Sequence, residues 1–101
     1  MSNARPLSRD DRQDTRNICI IPGRVLCGHR SEPVTIVNLS NYGAGLLGQA
    51  LPDEGEQVVL ASDHMHVSGF VMWKHGVKCG LLLNEAIDPL DIILKSVVVA
   101  S

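Results

Sequence analysis

Two short stretches carry side chains suited to binding chemistry. Arg12-Gln13-Asp14-Thr15-Arg16 places two guanidinium groups four residues apart, and Asn38-Leu39-Ser40-Asn41-Tyr42-Gly43 places an amide and a hydroxyl two apart, ahead of a glycine. A separation of four puts two side chains on one face of a helix, and an even separation does the same in an extended chain. Arg12 and Arg16 therefore converge whichever conformation their segment adopts. Each guanidinium fork can grip a phosphate, or the O6/N7 edge of guanine, through paired hydrogen bonds. In a strand, Asn38 and Ser40 project to one face while Val37 and Leu39 turn to the core. Gly43 permits φ > 0, or lets a ligand approach the backbone closely. Together the stretches point to a site for a phosphorylated, guanine-like small molecule. Taken singly, each has a plainer reading: an arginine-rich solvated tail, and a turn held by local Asx and Ser hydrogen bonds.

The charge distribution favours a local anion site. The net charge is −2, unlike the markedly basic balance of a general nucleic-acid binder. Residues 1–30 hold six arginines against three aspartates, +3, and the remainder holds three lysines against eight carboxylates, −5. A cationic front end on an acidic body is the pattern expected of a small anion-binding patch.

Other chemistries have less support. His64 and His66 share a strand face and could hold a metal with His75 or Cys79, but no third ligand stands in register, and a packed or exposed histidine pair is the simpler reading. No Ser/His/Asp or Cys/His constellation stands out, and Glu54 and Glu56 look like a solvated turn, so no enzyme, cofactor or metal site is expected. Cys19, Cys27 and Cys79 are odd in number without CxxC spacing, which reads as free thiols, with Cys27 and Cys79 at core or rim positions. No apolar h-region of a secretory signal is visible, and no apolar run is long enough to span a bilayer. The expectation is a cytoplasmic protein with neither membrane insertion nor a nucleic-acid partner.

The elements that must position these residues follow from periodicity. A chain of 101 residues suits one domain. Residues 1–17 are polar and read as a flexible basic arm. Residues 18–28 read as a strand interrupted or bulged at Pro22-Gly23, and 33–40 as a second strand. Asn41 to Gly45 reads as a turn or bulge, after which Leu46 and Leu47 re-enter the core. Further strands are expected at 58–60, at 64–73 with a bend at Gly69, and at 77–83. Asp88 can cap a helix, with Pro89 in its first position, Asp91 in its first turn, and Leu90, Ile93, Leu94 and Val97 along one face. With few aromatics, the core must rest on Val, Ile and Leu. The expected fold is all-β: a six-stranded antiparallel barrel over residues 18–97 with a C-terminal helix.

The chain resembles the PilZ domain family. RxxxR followed after a strand by (D/N)xSxxG is its hallmark, met here by Arg12 and Arg16 and then by Asn38, Ser40 and Gly43. Downstream, Gly55 with Val58-Val59-Leu60, Gly69-Phe70-Val71-Met72-Trp73 and Gly80 are similar to later strands of the family, so the likeness spans roughly residues 9–97. The resemblance implies a stand-alone PilZ-type barrel that binds cyclic di-GMP, in this family often as an intercalated dimer. It implies that Arg12 and Arg16 contact phosphates and guanine Hoogsteen edges, that Asn38 and Ser40 hydrogen-bond a guanine, and that Gly43 admits it. Ligand would order the arm against the barrel and change a surface read by a downstream protein partner. Asn38 stands where Asp is common, Tyr42 is bulkier than usual, and Leu83 sits where Phe is frequent. The alternative is a protein-interaction adaptor of the same fold that binds no nucleotide.

Overall fold

The computed structural model describes residues 15–97. Arg12, with most of the expected arm, lies outside the described residues. Asn17–Cys27 (β1), Arg30–Leu39 (β2), Gly43–Leu47 (β3), Gln57–Ser62 (β4), Met65–His75 (β5) and Lys78–Leu83 (β6) precede one helix, Pro89–Ser96 (α1). The strands close into an antiparallel barrel in the order β1-β2-β3-β6-β5-β4. Tight hairpins account for most of the connections. Gly28 and Gly76 enter theirs at φ 61° and φ 62°, where a side chain would be strained.

The core is aliphatic, as the composition requires. Val25, Ile36, Leu39, Leu46, Leu60, Val71 and Leu81 are its most deeply buried members, with Cys79 among them. Phe70 is half-buried, and Tyr42 and Trp73 face outward. Burying each of the larger aliphatic side chains stabilises the fold by roughly 1.5–3 kcal/mol, which makes this layer the main source of stability.

Three local expectations need correction. β1 is not interrupted at Pro22-Gly23; it runs through them, and its irregularity against β2 falls earlier, between Ile18 and Ile21. Pro22 is tolerated because β1 meets β4 only from Arg24 to Leu26, so the proline lies outside that ladder. Gly43 to Gly45 is not a turn but the start of β3, paired with both β2 and β6. The helix is capped as expected, the Asp88 carboxylate accepting from the Asp91 N–H at 3.2 Å. Its buried face is rotated, however. Pro89 and Ile92 are buried and Ile93 packs on the core, while Leu90, Leu94 and Val97 are exposed. Apolar residues surround most of this short helix, so a 3.6-residue period fits two faces equally well, and packing against β1 selects one.

Candidate ligand site on the outer wall of the barrel

Arg16 immediately precedes β1, and its Nη1 donates to Asn38 Oδ1 at 2.9 Å. This bond joins one half of each stretch singled out in the sequence. Asn17 supports it from the next position, its Nδ2 donating to the Leu39 carbonyl at 3.1 Å. Both ends of the contact are therefore tied to the first ladder of the barrel.

Asn38 faces outward because of an irregularity in β2. Ile36 pairs with Leu46 and Asn38 with Gly45, so two steps along β2 match one along β3. The extra residue is Val37. Ile36 and Leu39 both point into the core, which regular alternation forbids; the bulge at Val37 supplies the change of parity. Val37 is accordingly only half-buried, not a core residue as simple alternation suggests.

The same construction recurs across the sheet. Val71 pairs with Leu81 and Trp73 with Gly80, leaving Met72 as the extra residue and turning Trp73 outward. Because Asn38 pairs with Gly45, Gly45 with Gly80 and Gly80 with Trp73, these four residues form one transverse row over β2, β3, β6 and β5. The row spans three strand spacings, about 14 Å between the outer backbones. Its two central members are glycines because their neighbours lie down over them. A Cβ on Gly45 would overlap the Asn38 amide, with Cγ at 2.9 Å, and a Cβ on Gly80 would overlap the Trp73 indole, with Cε2 at 2.6 Å. The outcome is a shallow surface with an exposed guanidinium and an amide at one end and the indole of the sole tryptophan at the other.

Ser40 occupies a different environment from Asn38. It is only 6 % exposed, its N–H donates to the Gly43 carbonyl at 2.9 Å, and its Oγ lies 3.5 Å from the same oxygen. Gly43 leaves room for this hydroxyl, since a Cβ there would sit 3.0 Å from Ser40 Oγ. Asn41 ties the turn to the approach of the helix, its Nδ2 donating to the Ile87 carbonyl while its own carbonyl accepts from the Ile87 N–H. Tyr42 is half-exposed beside Gly43, whose β6 partner is the partly exposed Leu82. Thus Arg16, Asn38, Ser40 and Gly43 gather at one corner of the barrel, with the first two presented outward and the Ser40 hydroxyl turned into its own loop.

A sizeable concavity lies elsewhere. A groove of about 830 Å³ is lined by Pro22, Arg24, Pro33, Thr35, Leu47 and Asp63, among others, three residues back along β2 from Asn38. Asn38, Gly45, Gly80 and Trp73 lie outside that groove, and a ligand on their row would draw on the Arg16 charge and on stacking.

The remaining reactive groups serve the fold. Cys79 lies in the core, and burial pushes its thiol up to about 11. That location separates it from His64 and His66, which are exposed. Cys27 donates to Glu56 Oε1 at 3.2 Å, a contact that raises the thiol pKa. Glu56 also accepts from the Asp53 N–H at 2.8 Å, and these bonds hold its carboxyl below the usual range. It is a turn clamp rather than a freely solvated residue.

Gly45, expected only within a turn or bulge, is the seat on which the Asn38 amide rests. Compared with family models, curated proteins and solved structures, the chain matches none.

Proposed function

We propose that this chain is a non-catalytic receptor for cyclic di-GMP of the PilZ type. The observation that carries the reading is the 2.9 Å bond from Arg16 to Asn38, which unites the RxxxR and NxSxxG stretches at one corner of a closed six-stranded barrel. An exposed guanidinium retains donors beyond the one used by Asn38 and presents them to a phosphate or a guanine edge. The Asn38 amide adds a donor to a base, and the Trp73 indole offers an apolar surface at the far end of the row. Arg12 supplies the second fork in this reading, and a downstream protein senses the surface formed when ligand bridges the two arginines and the barrel.

Isothermal titration of the whole chain with cyclic di-GMP tests the proposal, with cyclic di-AMP and GTP as controls. Selective binding of the first, weakened in Arg12→Ala, Arg16→Ala and Asn38→Ala, is the expected result. No heat with any nucleotide would remove the reading.

A second reading has its own observation. The buried Ser40 hydroxyl is engaged within its turn, and the half-exposed Tyr42 stands beside it. Both suit a protein-interaction adaptor of the same fold that binds no nucleotide. A pull-down that recovers a partner dependent on Tyr42, together with silent nucleotide titrations, would establish it.

A further inference from the structure

The first part of β1 presents Ile18 and Ile20 outward, and α1, packed beside β1, presents Leu90 and Leu94, with Val97 at its C-cap. Ile18 is 86 % exposed, Ile20 82 %, Leu90 59 %, Leu94 72 % and Val97 56 %. At the size of these side chains they offer on the order of 600 Å², against the ~800 Å² each partner buries in a standard interface. An apolar surface of this extent is at the upper limit for a monomer. None of the five residues is charged, and polar neighbours can supply the rest as a rim.

We infer that this face joins two copies of the chain about a two-fold axis. A two-fold contact uses one patch on both copies, so the patch must suit itself. The helix meets that condition. Leu90 and Leu94 lie one turn apart, with Val97 following at the C-cap, and Asp91 and Lys95 flank the leucines on one side, 3.1 Å apart in an intrahelical ion pair. With the axis perpendicular to the helix, the two copies of α1 run antiparallel. Asp91 of each copy then falls near Lys95 of the other, and the helix dipoles oppose one another favourably. The isoleucines of β1 extend the contact beyond the helix. Ile18 is the register partner of Asn38, so one edge of this face adjoins the proposed ligand corner, and the dimer is therefore measured in the absence of nucleotide.

Sedimentation equilibrium on the full chain, without nucleotide, tests it. The expected species has twice the chain mass of 10.9 kDa. Ile20→Lys and Leu94→Lys alter solvated positions of the monomer, so far-UV circular dichroism should stay that of the folded barrel while each raises the dimer dissociation constant at least about tenfold. Lys78→Ala, exposed on β6 across the barrel from β1, should leave it unchanged. A monomer up to millimolar concentration overturns the inference, including one that binds a different protein through this face. So does a dimer indifferent to both lysine substitutions.

Discussion

Replacing Arg16 by alanine separates the ligand site from the fold that carries it. The side chain is exposed, and among the described residues its Nη1 donates to Asn38 Oδ1. An exposed contact of this kind contributes little to stability, so the melting transition should move by less than about 0.5 kcal/mol. Nucleotide affinity should respond differently. A charge-assisted hydrogen bond to a phosphate or guanine contributes roughly 1.5–3 kcal/mol, and its loss weakens binding about ten-fold to a hundred-fold or more. Asn38 also loses the partner that holds its amide, which places the effect toward the upper end. Arg16→Lys keeps the charge but not the planar fork, and should fall between wild type and alanine. Titration calorimetry with cyclic di-GMP, paired with thermal unfolding of the same samples, reads both quantities. Unchanged affinity in Arg16→Ala would refute the proposed role. A large loss of stability would instead show that the contact is structural.

Two glycines give contrasting tests. In Gly45→Ala the new methyl meets the end of the Asn38 side chain, which can swing aside, so unfolding should shift by under about 1 kcal/mol while nucleotide affinity falls with the displaced amide. In Gly69→Ala the methyl meets the Leu82 carbonyl and approaches Leu83 Cα at 3.1 Å, so the β5–β6 ladder must part, and denaturant unfolding should record a loss of about 1–3 kcal/mol. Asp88→Ala removes the helix cap and should cost about 1 kcal/mol by the same measurement. Cys79, with its thiol raised from 9.0 to about 11, favours the folded state fully below pH 9, and that contribution disappears as pH rises toward 11. Wild type should therefore lose more stability over that window than Cys79→Ala, and its Cys79 should resist alkylation at neutral pH until the chain unfolds.

Much of the barrel was legible because the relevant signals are local. Strand positions follow from clusters of Val, Ile and Leu between turn residues, and the shortage of aromatics required an aliphatic core. The Asp88 cap, Pro89 and the Asp91–Lys95 polarity mark the helix directly. Which face it buries was not local information. Leu90, Ile92, Ile93, Leu94 and Val97 satisfy more than one stripe, and only the position of β1 decides between them. The same holds for Gly43 to Gly45, whose composition suits a turn but whose backbone groups find partners on two neighbouring strands.

The candidate site was half legible for a related reason. Arg16 and Asn38 could be matched by residue type, and the structure joins them. The parity argument placed Ser40 beside Asn38, but the ladder ends at Leu39, and the Ser40 N–H closes the turn onto Gly43 instead of continuing the strand. The row from Asn38 to Trp73 depends on two bulges. Counting in steps of two from the buried Ile36 and Val71 sends Asn38 and Trp73 into the barrel, where neither fits. One added residue, Val37 in β2 and Met72 in β5, turns each of them out, and both come to rest on glycines that the β3–β6 register sets opposite one another. The buried positions of β2 run 34, 36, 39 and so skip a beat, but in the sequence the apolar Val37 hides the skip. Such a skip marks where a strand re-aims a side chain. That two skips end on the same transverse row is a property of strand register, and it gives the outer wall an amide and an indole held flat against the sheet.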